Sequence, residues 1–408
     1  MANAFNIPDL LARESLRVAH EKCSFIGTVD RQYDASFKSQ GGGKPGDQLR
    51  VANPNQYTRT QGSRVMDVQD QTESSQTITL ATQDHVDMRF NSAELALITP
   101  DSIGDFSDRY ITPAVSALIS GIEGDFISYA TKRIYNSVGT PGTPPTDLTA
   151  VGAARAKLNQ GLAPKDGNRF VMMDSLTMGG MVNGLKGVFQ DSAQIREQYR
   201  EGMVGRTSGA DYYENERMYA HTNSSDVTGA TDAAALVTDG GATIDMHTQI
   251  ASPAVGSVFT VAGVYACHPE TKQAYSHLQQ FTILTTSASG TITVSPTIYL
   301  TGPRQNVCSS AGAQLATTDF NAKTVTFVGN ASTTYLQNLM YHKEAFQFVT
   351  ADLPLMSGAH NCARRVMDGL SLRVWFDGDI RNDELLCRID ILYGFAALRP
   401  EWACRITN

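Results

Sequence analysis

The chain has 408 residues, 41% of them hydrophobic and 18% charged, with a formal net charge of −8 and a pI of about 5.5. That length holds two or three domains with a sizeable core. The charge balance excludes a basic nucleic-acid clamp, because no Lys/Arg run exceeds a dipeptide such as Lys132-Arg133 or Arg364-Arg365.

The first residues, MANAFNIPDLLARESLRV, lack the basic start and apolar core of a signal peptide. Pro8 to Lys22 reads as a short helix with its proline in the first turn. The stretch SQGGGKPGDQ (39–48) imitates a phosphate loop. A true one needs G-x-x-x-x-G-K-[ST] after a buried strand. Here Pro45 follows Lys44 where the magnesium-binding hydroxyl belongs, and proline has no N–H to offer a phosphate. The stretch is therefore read as a glycine hinge with Lys44 exposed. A nucleotide-dependent enzyme would instead require binding through Lys44.

A strand and turn at 46–56 precede YTRTQGSRVMDVQDQTESSQ (57–76), a polar excursion that returns to the strand-like QTITL (76–80). Loops of that length inside compact domains are usually functional. The strongest helix signal spans 112–138. Thr112 is placed to cap it and Pro113 suits the first turn. Val115, Leu118, Ile119, Ile122, Phe126, Ala130 and Ile134 form one apolar stripe. Such a helix would be about 40 Å long. Gly139 and Pro141 end it. A second helix is expected from Asp147 to Gln160, a buried strand at 169–174, and short helices and loop at 175–200.

Composition shifts near residue 223. Residues 223–336 number 114, with 31 Ser or Thr and only 9 charged side chains. The segments VFTVAGV, QFTILTT, GTITVS and KTVTFVG alternate with period two, which predicts a small antiparallel barrel or sandwich. SLRVWF (371–376), a polar turn and LCRIDILYGFAAL (386–398) then read as a hairpin feeding a core strand. The fold class is α+β, with an all-β domain inserted into a discontinuous body.

Candidate chemistry is sparse. DGDIRNDE (377–384) has Arg381 and Asn382 where a calcium loop wants an acidic residue and a glycine, so it reads as a charged turn. GRTSG (205–209) puts Ser208 one place late for a nucleophile elbow. Asp84, His85 and Asp87 sit on a strand-like stretch, and Cys267-His268 precedes Pro269 at a strand end. The six cysteines (Cys23, Cys267, Cys308, Cys362, Cys387, Cys404) are scattered, without the close pairs of a zinc site, and read as reduced thiols. No nucleophile with a base is nominated, so no enzyme, cofactor or metal is expected.

The final stretch, LLCRIDILYGFAALRPEW (385–402), together with GSVFTVAGVYACHPETKQ (256–273), QFTILTTSASGTITVSPTIY (280–299) and FQFVTADLPL (346–355), resembles the coat proteins of short-tailed, lambda-like enterobacterial phages. These are major capsid proteins of the HK-ninety-seven fold. The order of the stretches carries the resemblance, which covers most of the chain. It implies an N-terminal arm at 1–32 and a peripheral domain at 33–144, with an extended E-loop at 57–76 and a spine helix at 112–138. It further implies an axial domain at 145–222 and 337–360, an inserted β-barrel at 223–336 and a returning hairpin and strand at 361–408.

The implied function is self-assembly through hexamers and pentamers, by way of a procapsid, into an icosahedral head around double-stranded DNA. The implied partners are further copies of the chain, a scaffolding protein and a portal protein; DNA would be enclosed without tight or sequence-specific binding. Location in the virion capsid after assembly in the host cytoplasm is expected, with no membrane partner. Arg59, Arg64, Asp67, Asp70 and Glu73 of the loop, with Asp239 and Asp245 of the insertion, are the interface candidates. Gly121 and Gly124 are the candidate bend points of the spine helix. Relatives that cross-link their shells use an E-loop lysine, and 57–76 contains none. A Ser/Thr-rich surface or adhesin-type protein is the alternative reading of 223–336.

Overall fold

The structure is a computed structural model and describes residues 7–31, 48–62, 65–66, 68–69, 73–91, 107–185, 205–225, 227–246, 250, 253–287, 290–355, 361–367 and 369–408. The hinge residues 39–47, including Lys44, lie outside the described residues, as do Arg64, Asp67, Asp70 and positions 186–204. The chain divides into two compact units: residues 1–51, 75–126 and 346–396 form the first, and residues 52–74, 127–345 and 397–408 the second.

In the first unit helix α1 spans Ile7–Lys22 and a single turn, α2, spans Phe25–Thr28. Strands Asn361–Met367, Leu370–Asp379 and Glu384–Ala397 form an antiparallel sheet. Thr82–Asn91 adds to the other edge of Glu384–Ala397, from Glu384 opposite Asn91 to Tyr393 opposite Thr82. The hairpin turn falls where the sequence placed it. Asp379 accepts from the Arg381 N–H (2.9 Å) and the Asn382 amide (2.7 Å), so its carboxylate ties the turn.

Helix α3 spans Thr112–Arg133, roughly 33 Å. Every residue of the predicted stripe is buried. The helix stops five residues before the expected 138 because Ser137–Gly139 becomes a strand, paired in parallel with Arg405–Thr407. Thr112 is not its cap: a π-helical turn, Ser107–Ile111, runs into it, and the Thr112 Oγ1 is buried without a partner. Phe126 sits in an aromatic nest with Phe25 (ring centroids 4.9 Å), Phe395 (5.1 Å) and Phe348 (5.7 Å). In the sheet of the same unit, the guanidinium of buried Arg373 grips buried Asp390: Nε donates to Oδ1 at 2.9 Å, Nη2 donates to Oδ2, and Nη1 donates to the Pro354 carbonyl at 2.7 Å.

In the second unit a sheet runs in the order Ser137–Gly139, Ala403–Thr407, Thr334–His342, Arg169–Met173, Ala210–Glu214, Arg206–Thr207. Helix α4, Leu148–Gln160, buries Val151, Ala154 and Leu158, and Asp147 caps it by accepting from the Thr149 N–H at 2.9 Å. A Cβ on Gly161, at its end, would stand 2.5 Å from the Glu401 carbonyl, so no larger residue fits there. Helix α5 spans Ser175–Leu185. The G-R-T-S-G stretch is a hairpin turn, with Ser208 and Gly209 both at positive φ (53° and 77°).

The Ser/Thr-rich segment of this unit forms its own sheet, in the order 241–245, 291–298, 274–286, 258–267, 324–327, 228–230. The two ends of that order meet: Thr231 bridges Met246, and the Asp232 N–H donates to the Asp245 carbonyl at 3.0 Å. Inside lie Phe259, Phe281, Phe320, Ile283, Ile292 and Val294.

Candidate assembly surface

Strands Gln48–Ala52 and Ser75–Thr79 pair only with each other among the described residues. The loop between them is closed at its base by the Asn53 N–H donating to the Ser74 carbonyl (2.8 Å). Further out, Gln69 acts as a rung. Its Oε1 accepts from the Thr58 N–H (3.0 Å) and its Nε2 donates to the Thr58 carbonyl (2.6 Å). Beyond the rung stand Val65, Met66 and Val68, with 80%, 84% and 76% of their surface exposed, and Tyr57 is 56% exposed. Large apolar side chains exposed elsewhere are mostly isolated, which is ordinary for a protein surface. A run of them within one loop is a candidate contact surface.

The charged candidates behave differently. Arg59 donates to Gln61 within the loop at 2.8 Å, and Glu73 is exposed beside the base. Asp239 is engaged inside its own unit, accepting from the Leu300 N–H and the Thr301 hydroxyl, both at 2.7 Å. Burial acts against its charge, and these hydrogen bonds more than compensate, holding the carboxyl below its usual value. Asp245 lies in a strand with one buried carboxylate oxygen unpartnered. The charged residues of the loop are prominent in its sequence, and its apolar residues are few. The signal was present: V-M-x-V inside an otherwise polar stretch.

Gly121 and Gly124 lie in α3, and a Cβ added to either would meet nothing within 4 Å. Close packing within the chain therefore does not explain them. Between them Glu123 is completely buried.

The remaining polar groups hold structure. Asp87 pairs with Arg388 (2.7 and 3.2 Å) and with His85 (3.0 Å), and the Arg388 hydrogen bond lowers its pKa. Asp84 accepts from the Tyr393 hydroxyl at 2.8 Å. His268 accepts from the Glu270 and Thr271 N–H groups, closing the turn after Cys267. Arg405 is buried, donating to the Gly256 carbonyl (2.6 Å) and the Thr282 hydroxyl (2.9 Å). It fastens the last strand to the Ser/Thr-rich segment, a role with no local sequence signal.

His221 stacks the cost of burial on the nearby charge of Arg405, and its pKa falls to about 4. The unfolded chain would take up that proton near pH 6.5, so stability is lost as pH falls from about 6.5 to about 4, by up to an order of 3 kcal/mol. Unfolding midpoints measured across that window should fall toward acid, and His221→Gln should flatten the slope. An unchanged slope would contradict the assignment.

No helix among the described residues is long and apolar enough to cross a membrane. A mixed helix-and-strand chain with a run of exposed aliphatic side chains in one loop has the makings of a structural, self-associating protein. The model of the P22 coat protein family (gene protein 5) matches residues 59–405, and the chain belongs to that family. It is a major capsid (coat) protein, a structural subunit of a phage head shell.

No curated protein matches the chain. Among solved structures it is similar to that of Mycobacterium phage Che8, at 12% identity over 94% of this chain and 90% of that one, TM-score 0.48. It is also similar to the capsid structure of cyanophage P-SCSP1u (11%, 88% and 83%, TM-score 0.44) and to the mature capsid of bacteriophage PhiM1 (11%, 89% and 82%, TM-score 0.43).

Proposed function

We propose that this coat protein forms hexamers and pentamers that close into an icosahedral head around double-stranded DNA, with no catalytic activity of its own. The observation that carries the self-association is the run Val65, Met66, Val68, exposed on a loop whose own strands offer it no cover. Coat-family membership supports the shell as its destination. Each such contact is modest, and repetition around closed rings makes the assembly stable. The alternative of a Ser/Thr-rich surface adhesin is not favoured, because coat-family membership accounts for that segment as well.

In this reading residues 1–32 form an arm, 57–76 the intersubunit loop, whose last two residues lie in the strand Ser75–Thr79, and α3 the spine. The segment around 223–336 is the inserted barrel, a reading supported by the meeting of its sheet ends at Thr231 and Met246. A scaffolding protein, a portal and the enclosed DNA are the further partners, with assembly in the host cytoplasm. Arg59, Arg64, Asp67, Asp70 and Glu73 set register rather than strength, since exposed ion pairs are worth about 0–1 kcal/mol each; Asp239 is committed within its own unit.

Electron microscopy of the full chain, expressed with and without a candidate scaffolding protein, tests the reading. Closed, uniform shells are the expected result; a monomer under every condition would overturn it. With no lysine at 57–76, no covalent linkage of subunits through this loop is expected. Denaturing gels of mature particles should show one band at the monomer mass, and a ladder of multimers would refute that expectation.

A further inference from the structure

Residues 24–30 form a strap fixed at both ends within the first unit. At one end the buried Glu123 carboxylate of α3 accepts from the Ser24 N–H (3.0 Å), the Ser24 hydroxyl (3.1 Å) and the Phe25 N–H, all on Oε1. Phe25 then enters the nest around Phe126, one turn further along the same helix. At the other end Asp30 bridges the strand Phe346–Ala351, with its N–H donating to the Phe346 carbonyl at 3.3 Å and its carbonyl accepting from the Phe348 N–H at 3.2 Å. Beside that bridge Gln347 is fully buried, and neither its amide oxygen nor its nitrogen has a partner.

Gly121 and Gly124 bracket Glu123 in sequence. Glycine weakens a helix interior by about a factor of five against alanine at each site. Nothing in the chain would obstruct a methyl group at either position. The weakest point of the helix therefore coincides with the residue that holds the strap. Kinks in helices have identifiable causes, and glycine is one of them.

We propose that Glu123 is a latch. Bending of α3 between Gly121 and Gly124 withdraws its carboxylate from Ser24 and Phe25, and the strap is released in the same event. The geometry alone carries this coupling. Its use during rearrangement of a shell rests on the coat-protein reading above. Glu123 acts here as a positioning residue for the N-terminal segment.

Hydrogen exchange on the full-length subunit tests the coupling without requiring a shell. Exchange at Ser24 and Phe25 is compared with that in the strand Leu370–Asp379 of the same unit, which reports wider opening. The double variant Gly121→Ala/Gly124→Ala touches neither end of the strap. It should slow exchange at Ser24 and Phe25 by about tenfold or more, a factor set by two alanines replacing two glycines, and leave the reference strand changed far less. Glu123→Gln, which keeps the shape and removes the charge, should speed exchange at the same two amides. Ser24→Ala, which removes only the hydroxyl bond, should do so more weakly, and it serves if Glu123→Gln does not fold. Unaltered exchange at Ser24 and Phe25 in the double variant, or a change equal to that of the reference strand, overturns the latch. Neither result bears on whether shells form. Failure of the coat-protein reading would instead appear as an absence of shells with the exchange coupling intact.

Discussion

Asp390→Ala is expected to destabilise the subunit by about 3–5 kcal/mol, a large part of the roughly 5–15 kcal/mol that holds a domain folded. The Arg373 guanidinium would be left buried with the Pro354 carbonyl as its remaining hydrogen-bond acceptor, and the Gln83 amide, which donates to Asp390 at 3.0 Å, would lose its acceptor as well. The damage comes from the unmatched charge, since deleting one member of a buried pair exposes the full desolvation cost of the other. Replacing both together, Arg373→Met with Asp390→Leu, should recover most of the loss. Denaturant unfolding of the single and double variants measures this. A single-variant loss below about 1 kcal/mol would mean that water reaches the pair.

The second large effect is on assembly. Val65→Asp with Met66→Asp should leave the subunit folded, because both side chains are exposed and add nothing to its core. Shell formation should be abolished, because each copy would then bring two carboxylates into an apolar contact where isolated charge is heavily penalised. Arg59→Ala, by comparison, should change the yield of shells little, consistent with an exposed side chain bonded within its own loop. Light scattering and microscopy under assembly conditions distinguish the cases. Normal shells from the double aspartate variant would remove this loop from the assembly contact.

The two predictions differ in how far the sequence anticipated them. The run LCRIDILYGF carries two charges, Arg388 and Asp390, and does not itself show which of them is buried. Counting six residues back from Asp379 and six forward from Glu384 reaches Arg373 and Asp390, which the hairpin register does place opposite each other. The loop was located by its polarity, yet its charged residues drew attention away from the aliphatic tip. Glu123 also had a signal, a carboxylate beside the stripe formed by Ile119, Ile122 and Phe126, but not a partner, since Ser24 lies 99 residues away. Arg405 had neither: its acceptors, Gly256 and Thr282, are 149 and 123 residues distant.

The sequence by itself determined the local elements of this coat protein. Period in the strands, the stripe of α3, the extent of α4 and the hairpin turn follow from interactions spanning a few residues, which a sequence displays directly; the Asp147 cap was shown only by the structure. Its composition marked out the segment that forms a sheet of its own, because a lightly charged, Ser/Thr-rich chain with period two buries its apolar face by pairing strands. Tertiary structure alone decided that α3 ends at Arg133 rather than 138, since the competing strand bonds at Ser137–Gly139 are supplied by residues 405–407. It also decided which buried charges are matched, and that the two glycines of α3 flank the carboxylate holding residues 24 and 25. The strand that ends α3 and the bonds of Glu123 depend on contacts between residues about a hundred or more positions apart, while Arg373 and Asp390 meet across a hairpin only 17 positions long; no periodicity encodes the long-range contacts.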